Sequence, residues 1–112
     1  MSKITKIEKP WGFEEIWAHT DKYVGKLLHI KKGHRLSLQY HEVKEETIYV
    51  LSGVLTLITD KEHIILPPGE TYHISPGDIH RFSAAEEDVT LMEVSTPDLE
   101  DVVRLEDDHG RA

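Results

Sequence analysis

The sequence predicts an all-β protein, a barrel or sandwich of short strands, and three observations carry that prediction. Strand-like runs succeed one another along most of the chain, turn-forming residues separate them, and no convincing helix intervenes. In order, strands are expected at Phe13–Ala18, Tyr23–Lys31, Leu36–His41, Glu46–Leu51, Val54–Thr59, Glu62–Leu66, Glu70–Ile74, Arg81–Ala84 and Val89–Ser95. Lys32-Gly33, Ser52-Gly53, Asp60-Lys61, Pro67-Pro68-Gly69 and Ser75-Pro76-Gly77-Asp78 supply the turns. Asp98–Glu106 reads either as a helix or as an extended closing segment. With no internal repeat or low-complexity linker, residues 1–112 form one domain, closed by the tail 98–112. A domain of this size buries roughly two-thirds of its unfolded surface, enough for one core and one pocket.

Alternation assigns faces. Across Leu36–His41, Leu36, Leu38 and Tyr40 share one side, and Ser37, Gln39 and His41 the other. In the following strand Glu46, Ile48 and Val50 oppose Thr47, Tyr49 and Leu51, so both faces are substantially apolar. In so small a protein this predicts a partner subunit against one face, and hence a homodimer.

Composition narrows the function. The chain has no cysteine, which excludes disulfides and thiolate zinc sites. Thirteen basic against 21 acidic residues give a net charge of −8, which argues against nucleic-acid binding. Much of the acidic excess lies in the tail, at Asp98, Glu100, Asp101, Glu106, Asp107 and Asp108, so a local basic pocket for a small anion remains compatible. The N-terminus, Met1-Ser2-Lys3-Ile4-Thr5-Lys6, is too charged for a signal peptide, and no apolar run approaches the ~20 residues of a membrane span. A cytoplasmic protein without membrane association is expected. Eight histidines are the one compositional oddity, and enrichment alone is weak evidence for metal.

Position adds more. Gln39 and His41 are two apart and project to one side of a strand. Glu46 follows the polar turn Glu42-Val43-Lys44-Glu45, which returns the chain beside them. His80 follows a second turn and shares its face with Phe82. Singly, each is usually a surface or hydrogen-bonded residue. Glu46 and His80, however, share faces with Ile48, Val50 and Phe82, and burying an unpaired carboxylate costs several kcal/mol. Coordination to a cation removes that cost. Two imidazoles, a carboxylate and an amide oxygen suit one divalent metal, zinc or manganese ahead of iron, nickel or cobalt.

The run Gly33-His34-Arg35-Leu36-Ser37-Leu38-Gln39-Tyr40-His41, then Glu46 and Gly53, resembles the first cupin motif in its glutamine variant. Gly69, then Pro76-Gly77-Asp78-Ile79-His80, resembles the second. That variant is similar to the mannose-6-phosphate isomerase domain forming the C-terminal part of bifunctional mannose-1-phosphate guanylyltransferases. The likeness runs from Lys9-Pro10-Trp11-Gly12-Phe13-Glu14 to Asp101-Val102-Val103-Arg104-Leu105-Glu106-Asp107-Asp108-His109-Gly110-Arg111. It implies a single-domain cupin jelly-roll barrel with Gln39, His41, Glu46 and His80 on the metal. Four positions depart from the family's pattern: Leu27, Ser75, Ala84 and His109. None is a presumed ligand, but all fall where a sugar phosphate is expected to be held.

Five basic residues are candidates for the phosphate. Arg35 has the parity of Gln39 and His41 and faces the ligands if the strand begins that early. Lys26 shares a face with Leu28 and Ile30, where a lysine needs a partner such as an anionic ligand. Arg81 is expected to point away from the metal into a salt bridge or interface. Arg104 and Arg111 lie in the tail signature, which in the resembling domain helps complete the site. Arg35 and Arg104 are therefore expected to bind substrate, and Lys26 and Arg111 to act in catalysis. The resemblance implies a metal-dependent aldose–ketose isomerase of a sugar phosphate, with a proton moving between C1 and C2. Lys26, Glu93, His73 and His109 are the candidate bases. The alternative is a non-catalytic metal-binding cupin that binds a sugar or sugar phosphate as sensor or accessory subunit. An iron dioxygenase is disfavoured, because Gln39 stands where such sites more often present a third histidine.

Overall fold

A computed structural model describes residues 4–112; Met1–Lys3, part of the charged N-terminus read against a signal peptide, lie outside the described residues. Eleven strands run along the described chain: β1 (Thr5–Lys9), β2 (Gly12–His19), β3 (Val24–Ile30), β4 (Leu38–Tyr40), β5 (Glu46–Ser52) and β6 (Leu55–Thr59). They continue with β7 (His63–Leu66), β8 (Thr71–Ile74), β9 (His80–Ser83), β10 (Val89–Ser95) and β11 (Val103–Glu106). One antiparallel sheet has the order β1-β2-β3-β10-β5-β8 and the other β11-β4-β9-β6-β7. This is an all-β jelly-roll barrel. No helix among the described residues is long and apolar enough to cross a membrane.

The two-residue period of each strand decides what lies inside. In β5, Glu46, Ile48 and Val50 are buried while Tyr49 and Leu51 are exposed, as alternation requires. In β3, Val24, Lys26, Leu28 and Ile30 all point inward. Leu28, Ile30, Ile48, Val50, Leu55, Leu57, Phe82 and Leu91 form the centre of the core between the sheets. Gly53 is required at the β5–β6 turn: its φ is 76°, and a Cβ there would stand 2.1 Å from the Asp88 carbonyl oxygen.

One strand is added, one alternative is decided and one expectation is corrected. β1 is not expected from the sequence, because Thr5–Lys9 offers only one inner-leaning apolar residue, Ile7, and reads as a polar edge. Of the two readings of the tail the extended one holds; β11 pairs with β4 and closes the second sheet. The Leu36–His41 run is regular only from Leu38. Before it the chain follows β9 irregularly, with Gly33 donating to Ala84 O at 2.7 Å, Leu36 to Phe82 O at 2.9 Å, and an isolated Arg35–Ser83 bridge. Leu36 and Ser37 are therefore both buried, and the strict alternation does not reach back to Arg35.

Candidate metal centre

His41 leaves β4, Glu46 opens β5 and His80 opens β9. The turn between the first two is fixed by Asp101, whose carboxylate accepts hydrogen bonds from the backbone N–H groups of Glu42 (3.0 Å), Val43 (2.7 Å) and Lys44 (2.8 Å). These three donors hold the Asp101 carboxyl below its ordinary pKa. The turn before His80 is tied to the same place: Gly77, at φ 86°, donates to His41 O at 2.7 Å. Gln39 and His80 pair directly across β4 and β9.

These restraints converge the ligand atoms. His41 Nε2 and His80 Nε2 lie 3.1 and 3.2 Å from Glu46 Oε1, and all three side chains are buried. One ligand atom from each lies within 4.8 Å of the others. The tautomers follow from the neighbours. His41 Nδ1 is 2.6 Å from Asp101 O and His80 Nδ1 is 2.9 Å from Asp78 O, and carbonyl oxygens only accept, so each Nδ1 carries the hydrogen. In a neutral ring Nε2 then presents a lone pair, and two such lone pairs face a carboxylate oxygen. A positive charge between them reconciles the three. Glu46 Oε2 is buried without a hydrogen bond and faces Lys44 Nζ at 3.6 Å, so Oε1 is the oxygen turned to the two histidines. Burial pushes the Glu46 carboxyl up, but hydrogen bonds from the two rings, which require a proton on Nε2 when no cation is bound, and then Glu93 and Lys44 outweigh it and hold it well below the usual range. Gln39 lines the same cavity and donates through Nε2 to Ser37 Oγ at 3.1 Å, which leaves its amide oxygen for a cation. The donor set fits a divalent metal.

Deeper along the barrel wall the charges alternate. Lys44 Nζ lies 3.6 Å from Glu46 and 3.2 Å from Glu93, and Lys26 lies 3.6 Å from Glu14, which also neighbours Lys9 at 3.9 Å. Lys26 and Glu93 sit opposite each other in register. Burial, then the charge of Glu46, pushes the Glu93 carboxyl up to about 8, against the opposing pull of Lys44. Burial would lower the Lys44 ammonium, but Glu93 and Glu46 raise it overall. Sequence reasoning missed Lys44 as part of the site by treating it as turn. It lies before β5 begins, where strand parity gives no signal. Glu14 was missed too, since the strand residues around it carry no apolar alternation.

The cavity, about 120 Å³, brings together Lys26, Gln39, His41, Glu46, His80, Arg104 and Arg111. It does not include Arg35, which makes a bidentate pair with Asp108 at 2.7 and 2.9 Å. The strand it was assigned to begins three residues later, so its parity pointed the wrong way. Lys26 finds its partner on the chain, in Glu14, and not only in an anionic ligand. Arg111 is held by Asp107, whose covered carboxylate lies well below its ordinary pKa through hydrogen bonds from the Arg111 side chain and backbone. Arg81 points away from the ligands, donating to Leu36 O at 2.8 Å and pairing with Glu106. His73 pairs with Glu45 on the surface and does not line the cavity, nor does His109. None of Leu27, Ser75, Ala84 and His109 lines it either, so the departures do not fall where a cavity ligand would sit.

A two-sheet barrel whose interior carries two histidines and a glutamate that could hold an ion defines a class, the β-barrels of jelly-roll form. Within it the particular family is plain: the cupin-domain model matches residues 26–95, and the chain belongs to the cupin family. It is 29% identical over 110 residues to the mannose-1-phosphate guanylyltransferase of Escherichia coli, covering 95% of this chain and 23% of that protein. It is 34% identical over 68 residues to the quercetin 2,3-dioxygenase of Bacillus subtilis, covering 61% of this chain and 20% of that one. The chain thus spans about a quarter or less of the length of the curated relatives it matches. Among solved structures, the polyketide cyclase RemF from Streptomyces resistomycificus superposes with a TM-score of 0.79 at 19% identity, covering 93% of this chain and 80% of that one, a likeness of fold.

Proposed function

We propose that the protein is a metal-dependent aldose–ketose isomerase of a sugar phosphate, with mannose 6-phosphate as the first substrate to test. The observation that carries this reading is the charge of the cavity. Lys9, Lys26, Lys44, Arg104 and Arg111 line it against Glu14, Glu46 and Glu93, a cationic excess inside a chain of net charge −8. A divalent cation on His41, Glu46 and His80 adds to that excess, which suits an anionic substrate. The likeness to a mannose-1-phosphate guanylyltransferase across 95% of the chain points the same way.

In this reading a bound cation supplies Lewis-acid polarisation of the sugar carbonyl. The chain's own groups do the rest. Arg104 and Arg111 stand on the cavity wall as forked donors for phosphate oxygens. Lys26 and Glu93 sit opposite each other on that wall, and a carboxyl pushed up to about 8 is suited to take a proton from one carbon and return it to the next. The second reading, a sugar-phosphate binder without turnover, is favoured by the partners Lys26 and Arg111 already have, which tie up both groups expected to act in catalysis. We also propose that a second copy of the chain covers Tyr49, Leu51 and Val94, which are exposed on neighbouring strands β5 and β10.

The deciding experiment incubates zinc- or manganese-loaded protein with mannose 6-phosphate and follows fructose 6-phosphate. Conversion that a chelator abolishes is expected. Arg104→Ala or Arg111→Ala should weaken binding of the phosphorylated over the unphosphorylated sugar by about tenfold to a hundredfold, the worth of a charge-assisted hydrogen bond. Binding without conversion selects the accessory binder. Neither binding nor conversion removes the sugar-phosphate reading.

A further inference from the structure

We infer that Asp101, outside the ligand set, is a positioning residue that couples the C-terminal segment to metal affinity; this rests on the metal-binding part of the reading above. Asp101 holds two ends of one small structure. Its backbone oxygen accepts from His41 Nδ1 at 2.6 Å, while its carboxylate accepts from three consecutive N–H groups, Glu42, Val43 and Lys44, that link His41 to Glu46. Both ligands are thereby referred to a single residue of the segment between β10 and β11. Among the described residues no other touches both the His41 ring and the backbone of that turn through separate polar groups.

The consequence is physical. The carbonyl contact selects the tautomer that leaves His41 Nε2 free for a cation, and the carboxylate contact keeps that carbonyl where the ring needs it. If the carboxylate is lost, the turn gains three unsatisfied donors and the Asp101 carbonyl loses its anchor. The segment also carries Leu99 and Val102 to the cavity wall, and β11 directly after it carries Arg104. Linkage is reciprocal, so a metal that needs the docked segment must also hold it docked.

The test measures zinc affinity by competition with a chelator, on folded protein and well below its melting temperature. Asp101→Ala should weaken zinc by about tenfold to a hundredfold, the usual cost of losing an outer partner of a metal ligand. Asp101→Asn, which keeps an accepting oxygen, should recover part of the loss. Asp88→Ala removes an exposed aspartate that also accepts a backbone N–H, from Lys32 at 2.7 Å but far from the ligands, and should leave affinity unchanged. Should Asp101→Ala fail to fold, hydrogen exchange on the wild-type chain replaces it. The amides of Glu42, Val43 and Lys44 should exchange more slowly with zinc than without. Affinity within twofold of wild type in Asp101→Ala, or exchange at those amides unchanged by zinc, overturns the inference and leaves the metal site standing. A wild-type chain that binds no zinc, manganese, iron, nickel or cobalt overturns both.

Discussion

The six-stranded sheet presents two different inner surfaces to the same barrel. Along one stretch the paired inward residues are Leu28, Leu91 and Val50, then Ile30 and Val89, all buried and apolar. Two rows further, the same strands bring in Lys26, Glu93 and Ile48, then Val24, Ser95 and Glu46, with Lys44 beside them. The β10–β5 pairing shifts register between Thr90 and Leu91, at the apolar end, and is regular from there to Ser95, so along the regular stretch the difference lies in side chains. Burial of the apolar rows contributes the usual ~25 cal/mol per Å². The charged rows gain little net stability, because desolvation offsets much of each ion pair. One half supplies the apolar core and the other half carries the charged wall beside the candidate metal centre.

Exchanging a single residue in each half should separate the two roles, and this is the largest effect expected. Leu91→Ala opens a cavity in the dry half and should cost about 2–5 kcal/mol in urea unfolding, with metal stoichiometry unchanged. His41→Ala or His80→Ala should reduce metal content sharply, and occupancy in the wild type should fall on acidification, because protons compete with the cation for its ligands. His19→Ala and His63→Ala, both exposed, should hold metal normally. Equal metal loss in all four histidine variants would show that the centre is misplaced.

The comparison can be sharpened across the thickness of the sheet as well. On β5 the inner face is fully buried, whereas Tyr49 and Leu51 on the outer face are 46% and 45% exposed. If a second copy covers them, light scattering should give twice the chain mass, and Tyr49→Lys with Leu51→Lys should halve it while metal content is kept. A wild-type monomer in dilute native solution removes the proposed dimer.

The charged half was also the harder to read from sequence, and the reason is physical. The apolar rows announce themselves by alternation: Ile48 and Val50, or Leu28 and Ile30, show the period directly. His41, Glu46 and His80 were legible because turn chemistry and strand parity place them and their family motif is specific. Lys44 was not, because a lysine in a polar turn looks like solvent-facing punctuation until a buried pair of carboxylates gives it a destination. Arg35 failed in the opposite sense: parity holds only within a regular strand, and the chain before Leu38 follows β9 through irregular hydrogen bonds. The extended tail was legible only as an alternative, since a strand of four residues such as β11 is defined by its pairing with β4 and not by its own pattern.

The last comparison concerns Glu93, and it asks whether the charged half is truly a ladder of ion pairs. In the folded chain burial and the neighbouring Glu46 raise this carboxyl from about 4.5 to about 8, so it keeps its proton after the unfolded chain has released one. Between those two values the folded state binds more protons. The stability associated with this group is therefore fully present below pH ~4.5, declines as pH rises, and is lost once pH passes about 8. Glu93→Gln keeps the shape of the protonated acid and removes the titration. In urea unfolding of chelator-treated protein, the variant should match the wild type near pH 5 and exceed it near pH 8.5. Because other groups titrate in both chains, the difference between them is the quantity to follow. A difference that stays constant over that range would mean that Glu93 is already ionised and paired with Lys44 at 3.2 Å, so that the wall beside the metal centre is held by charge pairs throughout.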